Sequence, residues 1–197
     1  MVMRAGSRES VVDGGFSMKR TRLSLFLSIL LGGVSALSFG QGARRREPPA
    51  PADAATVESI VAAYYSAMSH APGKAPDFER LRGIVLYVGM IVPPKTAAEN
   101  FSVSDVDALA DRYEKGKEPT ATGLLEREVA RRIDCFGTVC HVFSTYEARH
   151  TEADAKPFER GIRSMQILRD GKRWWIASVT WDVERPDNPI PAQYLEH

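Results

Sequence analysis

Hydrophobic and polar residues alternate most regularly between Leu124 and Glu184, where the pattern predicts two consecutive β-hairpins. The first hairpin is expected to turn at Gly137-Thr138, because glycine accepts the positive φ angle of a tight two-residue turn. The second is expected to turn at Asp170-Gly171, a dipeptide typical of such turns. An antiparallel sheet is therefore predicted to be the main regular element of the chain.

Counting outward from the first turn predicts which residues of that hairpin face each other. Cys135 is then opposite Cys140, Arg131 is opposite Ser144, and Val129 is opposite Tyr146. Opposed residues lie on one face of the sheet. This face is predicted to be buried and mostly apolar, and it holds Val129, Arg131, Ile133, Cys135, Cys140, Val142, Ser144, Tyr146 and Ala148. The other face holds Glu128, His141 and Glu147, although a register slip of one residue would reverse the two faces.

The second hairpin is apolar on both faces. One face is predicted to carry Met165, Ile167, Trp174 and Ile176, and the other Ile162, Leu168, Trp175, Ala177, Val179 and Trp181. A sheet that is apolar on both sides needs a cover on both sides. We expect helices against one face and, as a candidate cover of the outer face, a second copy of the chain in a homodimer.

Three amphipathic helices are predicted before the hairpins. The first carries Val57, Ile60, Val61, Tyr64 and Met68 at helical spacing, starts behind Asp53 or Thr56 as its cap, and ends before Pro72. The second starts behind Asp77 and carries apolar residues up to Val88, and a short edge strand over 90–92 follows it. The third is expected to begin with a capping box formed by Ser102 and Asp105 and to end at Lys115-Gly116.

The first 53 residues are predicted to lie outside the folded domain. Residues 18–40 have the organisation of a secretory signal, because Lys19, Arg20 and Arg22 precede an uncharged run that ends in small residues. Residues 1–17 are interpreted as an extension ahead of a natural start at Met18, and residues 41–53, with Arg44-Arg45-Arg46, as a Pro/Ala/Arg-rich linker. The expected destination is the periplasm or the exterior, without stable membrane insertion after cleavage. A membrane anchor is the alternative.

Charge and cysteine content narrow the possible partners. The chain has 26 Lys and Arg against 25 Asp and Glu, which gives no basic surface for nucleic acid. Its two cysteines face each other in the predicted hairpin, so a disulfide between Cys135 and Cys140 is expected in an exported protein, with two buried thiols as the alternative. Because a metal site needs more ligands than these and no histidine pair has suitable spacing, neither a metal nor another cofactor is predicted.

The order of these segments resembles a known superfamily. A helix is followed by DFERLRGIVLYVGMIVPP, a further helix, FGTVCHVFSTYEARH and RGIRSMQILRDGKRWWIASVTWDVE. This order is similar to the SnoaL-like branches of the nuclear transport factor 2-like superfamily, over residues 54–191, with 192–197 as a tail. The resemblance implies an α+β fold of the cystatin-like roll type, in which a cone-shaped, curved antiparallel or mixed sheet wraps around three N-terminal helices. It also implies an interior pocket and frequent homodimers, in a superfamily that includes isomerases, dehydratases, hydrolases and assembly modules.

Candidate site residues follow from the predicted pocket face. The ligand-pocket residues are expected to be Tyr64, Arg131, Ser144, Tyr146, Gln166 and Trp181. An arginine on an apolar face needs an acidic partner or an anionic ligand. His141 and Asp182 are weak catalytic candidates. The leading hypothesis is binding of a small, mostly apolar molecule in the cone, and the alternatives are an isomerase, dehydratase or hydrolase with a pocket carboxylate or histidine, and a homodimerisation module.

Overall fold

A computed structural model of the chain describes residues 51–94, 100–118 and 120–196. The predicted signal, extension and most of the linker lie outside these residues. The described part of the chain has a short 3₁₀ helix over Pro51–Ala54 as its first element and another over Ala192–Tyr194 as its last. Between them lie three helices and five strands, namely α1 (Val57–Met68), α2 (Phe78–Ile84), β1 (Val85–Val92), α3 (Val106–Glu114), β2 (Leu125–Phe136), β3 (Val139–Arg149), β4 (Glu159–Arg169) and β5 (Trp174–Val183).

The five strands form one mixed sheet in the order β1-β5-β4-β3-β2. Strands β2 to β5 are antiparallel neighbours, whereas β1 pairs with β5 in parallel. The buried residues of α1, α2 and α3 share one apolar core with residues of β1, β3, β4 and β5. The predicted α+β class, with a curved mixed sheet and three helices, is confirmed.

Side-chain caps fix the starts of the helices. Thr56 caps α1, since its hydroxyl accepts the Ser59 amide while the Ser59 hydroxyl accepts the Thr56 amide. At α3 the predicted capping box of Ser102 and Asp105 is corrected, because Asp105 is itself the cap and accepts the Ala108 amide at 2.7 Å. Asp77 caps α2 as predicted. Local sequence rules therefore locate all three helix starts to within a few residues.

The predicted end of the second helix is wrong. Helix α2 ends at Ile84, and Val85 begins strand β1, which continues through the predicted strand to Val92. The segment is rich in β-branched residues, which pack well on a pleated surface. Its place beside β5 gives the backbone hydrogen-bond partners in the sheet, so tertiary pairing overrides the local helical spacing.

The first hairpin has the predicted register near its turn. Phe136 pairs with Val139, Arg131 pairs with Ser144, and Cys135 pairs with Cys140. Gly137 has a φ angle of 59°, as a tight turn requires. The two cysteines form the predicted disulfide, with their Cα atoms 4.2 Å apart.

Further from the turn, a β-bulge at Val129 changes the register of this hairpin. Ala130 pairs with Thr145 and Glu128 pairs with Tyr146, so Val129 is the extra residue. The predicted pairing of Val129 with Tyr146 is therefore wrong. Because one extra residue reverses the faces, Glu128 and Glu126 lie on the core side of β2 rather than Val129 and Arg127. This bulge therefore places two carboxylates on the core side of the sheet.

The second hairpin also departs from its predicted register. Its connection spans four residues, 170–173, and the Asp170 carboxylate accepts the amides of Lys172 and Arg173 and the indole N–H of Trp175. These hydrogen bonds hold the pKa of Asp170 well below its usual range. A second irregularity leaves Ala177 unpaired, so Val179 lies opposite Met165 and Trp181 opposite Arg163. Both residues thus belong to the core face, which corrects their predicted placement beside Ile162.

The C-terminal segment packs on the outer face of the sheet. The Thr145 hydroxyl donates to the Tyr194 carbonyl, and the rings of Phe143 and Tyr194 lie 5.0 Å apart in an edge arrangement. Among the described residues, no helix has the length and apolar character needed to cross a membrane. Two buried charged residues, Glu126 and Arg163, lie on the core side of the sheet, between the strands and the helices.

Candidate functional site

A buried ion pair between Arg163 and Glu126 lies on the core side of the sheet. Arg163 is in the middle of β4 and Glu126 is near the start of β2, and both side chains are 4% exposed. Two guanidinium nitrogens donate to the two carboxylate oxygens, one of them at 2.8 Å. Such a bidentate arrangement is the strong form of this ion pair. Although burial opposes it, the carboxylate of Glu126 keeps the pKa of Arg163 well above its usual value.

Four aromatic rings surround the Arg163 guanidinium. Its central carbon lies 4.2 Å from the ring centre of Tyr146 and 5.1 to 5.5 Å from those of Tyr65, Trp181 and Tyr64. Arginine is favoured on aromatic faces, where the ring quadrupole attracts its charge. Burial raises the pKa of Tyr64 and raises that of Tyr65 to about 12. The rings therefore remain neutral around the ion pair.

A cavity of about 360 Å³ opens beside this ion pair. Its volume is within the usual range of small-molecule sites. Most of its lining is apolar or aromatic, from Tyr64, Met68, Ile91, Pro93, Pro94, Leu109, Tyr113, Leu124, Phe158 and Trp181. Its polar lining consists of Ser104, Arg112, Glu118, Glu126, Glu159 and Arg163. The cavity thus combines apolar walls with a few charged groups.

A second carboxylate of the cavity, Glu159, is bonded to a buried tyrosine. The Tyr146 hydroxyl donates to Glu159 Oε1 at 2.7 Å. Burial is the largest cause that raises the pKa of Tyr146, with Arg163 acting in the opposite direction. Gly161 faces Tyr146 across the strands, and an added methyl group there would lie 2.9 Å from the tyrosine ring. Glycine at this position therefore makes room for the ring that holds Glu159.

Arg131 and Ser144 belong to a polar chain next to the cavity. The hydroxyl groups of Tyr65 and Ser144 are 2.8 Å apart, and Ser144 donates to Glu128 Oε1 at 2.6 Å. The other Glu128 oxygen lies 2.8 Å from the Arg131 guanidinium. Arg131 therefore has the acidic partner that an arginine on an apolar face requires. This chain ties α1 to β2 and β3.

The predicted pocket residues divide into three groups in the structure. Tyr64 and Trp181 line the cavity. Tyr146, Ser144 and Arg131 are on the core side of the sheet and outside the lining, where they hold neighbouring polar groups. Gln166 is exposed and pairs with His141 and Ser178, so its predicted place in the pocket is corrected to the outer face. The reason is the alternation of β4, which turns its neighbours Met165 and Ile167 inward.

The two weak catalytic candidates lie on the outer face, away from the cavity lining. His141 is half-buried, and its Nε2 atom lies 2.8 Å from the Ser164 hydroxyl. Asp182 is exposed and accepts hydrogen bonds from Arg185 and Asn188. The hydrogen bond from Arg185 is the largest cause that lowers the pKa of Asp182. Asp182 therefore anchors the C-terminal segment in this structure.

Sequence reasoning missed the three most important charged residues of the cavity, Glu126, Glu159 and Arg163. Glu126 was missed because its orientation depends on the bulge at Val129. Arg163 and Glu159 lie in β4. Arg163 faces the same side of the strand as Met165 and Ile167, because residues two positions apart share a face, and this pattern could have identified Arg163 from the sequence. A charged residue in phase with buried apolar neighbours requires a buried partner.

A second cavity lies on the outer face of the sheet. It measures about 500 Å³ and lies between β4, β5 and the C-terminal segment, with Phe143, Ile162, Thr180, Pro189 and Tyr194 in its lining. Ion pairs and hydrogen bonds of Asp182 and Glu184 hold the segment beside it. Although it is larger, it contains no buried charged residue.

In the described part of the chain, no group of three or more His, Cys, Asp or Glu side chains is arranged to hold a metal ion.

No protein-family profile and no curated protein matches the chain. Solved structures do match it. A nuclear transport factor 2-like protein of unknown function from Silicibacter pomeroyi is 17% identical and covers 66% of this chain and 94% of its own, with a TM-score of 0.45. A candidate ketosteroid isomerase from Parabacteroides distasonis is 12% identical and covers 66% of this chain and 88% of its own, with a TM-score of 0.46. A nuclear transport factor 2-like protein of unknown function from Shewanella baltica is 14% identical and covers 66% of this chain and 98% of its own, with a TM-score of 0.43.

The chain is similar to nuclear transport factor 2-like proteins, as its sequence predicted. The similarity concerns the fold and assigns no activity, because all three identities are below 20% and superfolds of this kind host unrelated functions. The function of this chain has to be argued from its own cavity.

Proposed function

We propose that the protein binds a small, mostly apolar molecule in the cavity beside the Glu126–Arg163 pair. The observation that carries this proposal is an aromatic-lined cavity of about 360 Å³ in which the two most deeply buried charges, Glu126 and Arg163, are paired with each other. Because these two charges are already bonded to each other, a ligand does not have to neutralise them, and the apolar walls can provide most of the binding energy. The same geometry gives a ligand a fixed polar end for orientation.

We also propose that the protein acts outside the cytoplasm. The disulfide between Cys135 and Cys140 supports this, because such bonds persist mainly in oxidising compartments. The predicted signal over residues 18–40 supports the same destination. Secretion and signal cleavage can be tested by N-terminal sequencing of the protein recovered from its native host.

Filling the cavity is expected to abolish binding. N-phenyl-1-naphthylamine, a neutral aromatic probe that fluoresces in apolar surroundings, should bind the full chain saturably at one molecule per chain. Leu109 lines the cavity, so Leu109→Trp should prevent this binding because the larger ring occupies the same space. Fluorescence titration measures the effect, with circular dichroism as the check on folding.

The matched control is Leu195→Trp, which adds the same side chain at an exposed position in the C-terminal segment. This variant should bind the probe as the unmodified chain does. If the unmodified chain does not bind the probe saturably, or if a folded Leu109→Trp chain binds it equally well, the proposal fails.

Acid–base catalysis is the second candidate, favoured by the contact between Glu159 and Tyr146. An enzyme in this pocket needs a carboxylate within hydrogen-bond reach of a buried donor, and these two side chains are 2.7 Å apart. Glu159 would take a proton from the bound molecule, whereas both oxygens of Glu126 are already bonded to Arg163. Hydrogen–deuterium exchange tests this: in deuterated water, NMR measures how fast deuterium replaces the acidic C–H protons of small cyclic ketones. Exchange that persists in Glu159→Gln would exclude Glu159 as the base.

A further inference from the structure

The charges that line the cavity do not cancel. Three carboxylates and two guanidinium groups contribute to its lining. Glu126 is paired with Arg163, and Glu118 is paired with Arg112. Glu159 accepts a hydrogen bond from Tyr146, but no Lys or Arg of the described chain pairs with it. One negative charge in this cavity is therefore left without a cationic partner.

Aromatic rings share the cavity with this carboxylate. Tyr64, Tyr113, Phe158 and Trp181 all contribute to its lining. The electron-rich faces of such rings attract cations, and Trp181 and Tyr64 already lie 5.4 and 5.5 Å from the guanidinium of Arg163. An uncompensated carboxylate among aromatic rings is the combination that proteins use to bind alkylammonium groups.

We propose that the ligand carries a positive charge, as an organic amine or quaternary ammonium group on an apolar body. This inference rests on the proposed function and specifies its ligand class. The charged group would lie against Glu159, and the apolar body would lie against the cavity walls. An anionic ligand fits less well, because Arg163 already donates two hydrogen bonds to Glu126 and the carboxylate of Glu159 would repel a second negative charge.

Three probes of similar shape and different charge test the proposal. Phenyltrimethylammonium is cationic, tert-butylbenzene is its neutral carbon analogue, and benzenesulfonate is anionic. Each is titrated against the full chain with bound N-phenyl-1-naphthylamine, and displacement of fluorescence gives its affinity. The cation is expected to bind about tenfold more tightly than the neutral analogue, which corresponds to the attraction of one carboxylate and the aromatic rings.

Substitution of Glu159 locates the charge preference. Glu159→Gln should remove most of the advantage of the cation and leave the affinity for tert-butylbenzene unchanged. Glu152→Gln is the matched control, because Glu152 is an exposed carboxylate that does not line this cavity, and its removal should leave the preference intact. The comparison of the three probes on the unmodified chain needs no substitution, so it stands even if a variant does not fold.

The possible outcomes separate this inference from the proposed function. Equal affinity for the cation and the neutral analogue, or tightest binding of benzenesulfonate, would overturn the cationic ligand while the cavity remains a binding site. A cation preference that survives in folded Glu159→Gln would overturn the role of Glu159. If none of the three probes displaces bound N-phenyl-1-naphthylamine, the cationic ligand is overturned while the cavity remains a binding site. If N-phenyl-1-naphthylamine itself does not bind, both proposals fail.

Discussion

At the scale of single residues, the Glu126–Arg163 pair is expected to have the largest effect on stability. Both side chains are almost fully buried, and each is the other's charge partner. Removing one partner leaves an uncompensated charge in the core, which typically costs about 3–5 kcal/mol. Arg163→Met should therefore lower the free energy of unfolding by about this amount, measured by urea unfolding followed by tryptophan fluorescence.

Two further variants separate charge from packing. The double variant Glu126→Leu/Arg163→Met removes both charges and should be more stable than Arg163→Met alone, because no buried charge is left unpaired. Arg160→Met breaks the more exposed pair with Glu184 and should cost less than about 1 kcal/mol. A double variant as unstable as the single one would show that lost packing, rather than an unpaired carboxylate, causes the destabilisation.

Individual residues were predictable from sequence where a local rule determines their position. Thr56 caps α1, and Cys135 pairs with Cys140, because a cap or a tight turn fixes positions only a few residues apart. The pocket carboxylates were not predictable in this way. The side to which Glu126 points depends on the bulge at Val129, and no hydrophobic pattern signals an extra residue within a strand.

At the scale of elements, the disulfide is expected to clamp the β2–β3 hairpin locally. It joins residues only five positions apart, and the chain-entropy relation gives about 2 kcal/mol for so short a loop. Reduction should therefore lower the free energy of unfolding by about 2 kcal/mol and leave the chain folded. Urea unfolding with and without a phosphine reductant measures the change.

The same reduction should leave the cavity unaffected. The described residues that line it lie in other parts of the chain than the hairpin tip. Binding of N-phenyl-1-naphthylamine should thus be equal in oxidised and reduced protein, and the Cys135→Ala/Cys140→Ala chain, treated with the same reductant, controls for effects of the reagent. Loss of probe binding on reduction would show that the hairpin tip and the cavity are coupled.

Elements were predictable in type but less so in their limits. Both hairpins and all three helices occur where periodicity predicts them. The end of α2 was wrong because Val85 to Val88 have helical spacing as well as β-branched composition, and pairing with β5 decides between them. The four-residue connection after β4 was missed because the Asp170 carboxylate accepts hydrogen bonds from Lys172, Arg173 and Trp175, which stabilise a longer loop than Asp170-Gly171 suggests.

At the scale of the whole molecule, the outer face of the sheet has a cover from the same chain. The sequence predicted a second subunit on this face, and we propose that one binds there only when this cover is removed. In the structure, Tyr194 lies against Phe143 and Thr145, while Asp182 and Glu184 hold the residues that lead to it. The position of this segment could not be predicted, because an extended, proline-containing stretch carries no periodic signal. A second copy of the chain would have to displace this segment in order to bind the outer face.

Deletion of residues 189–197 is therefore expected to promote dimerisation. It removes the contacts of Tyr194 and exposes apolar residues of the outer face, including Phe143 and Ile162. Sedimentation velocity should show a monomer for the full chain and a concentration-dependent dimer for the shortened chain. Deletion of residues 195–197 retains Tyr194 and should leave the chain monomeric. A folded shortened chain that stays monomeric would show that the outer face does not bind a second copy. A dimeric full chain would show that the segment does not exclude one.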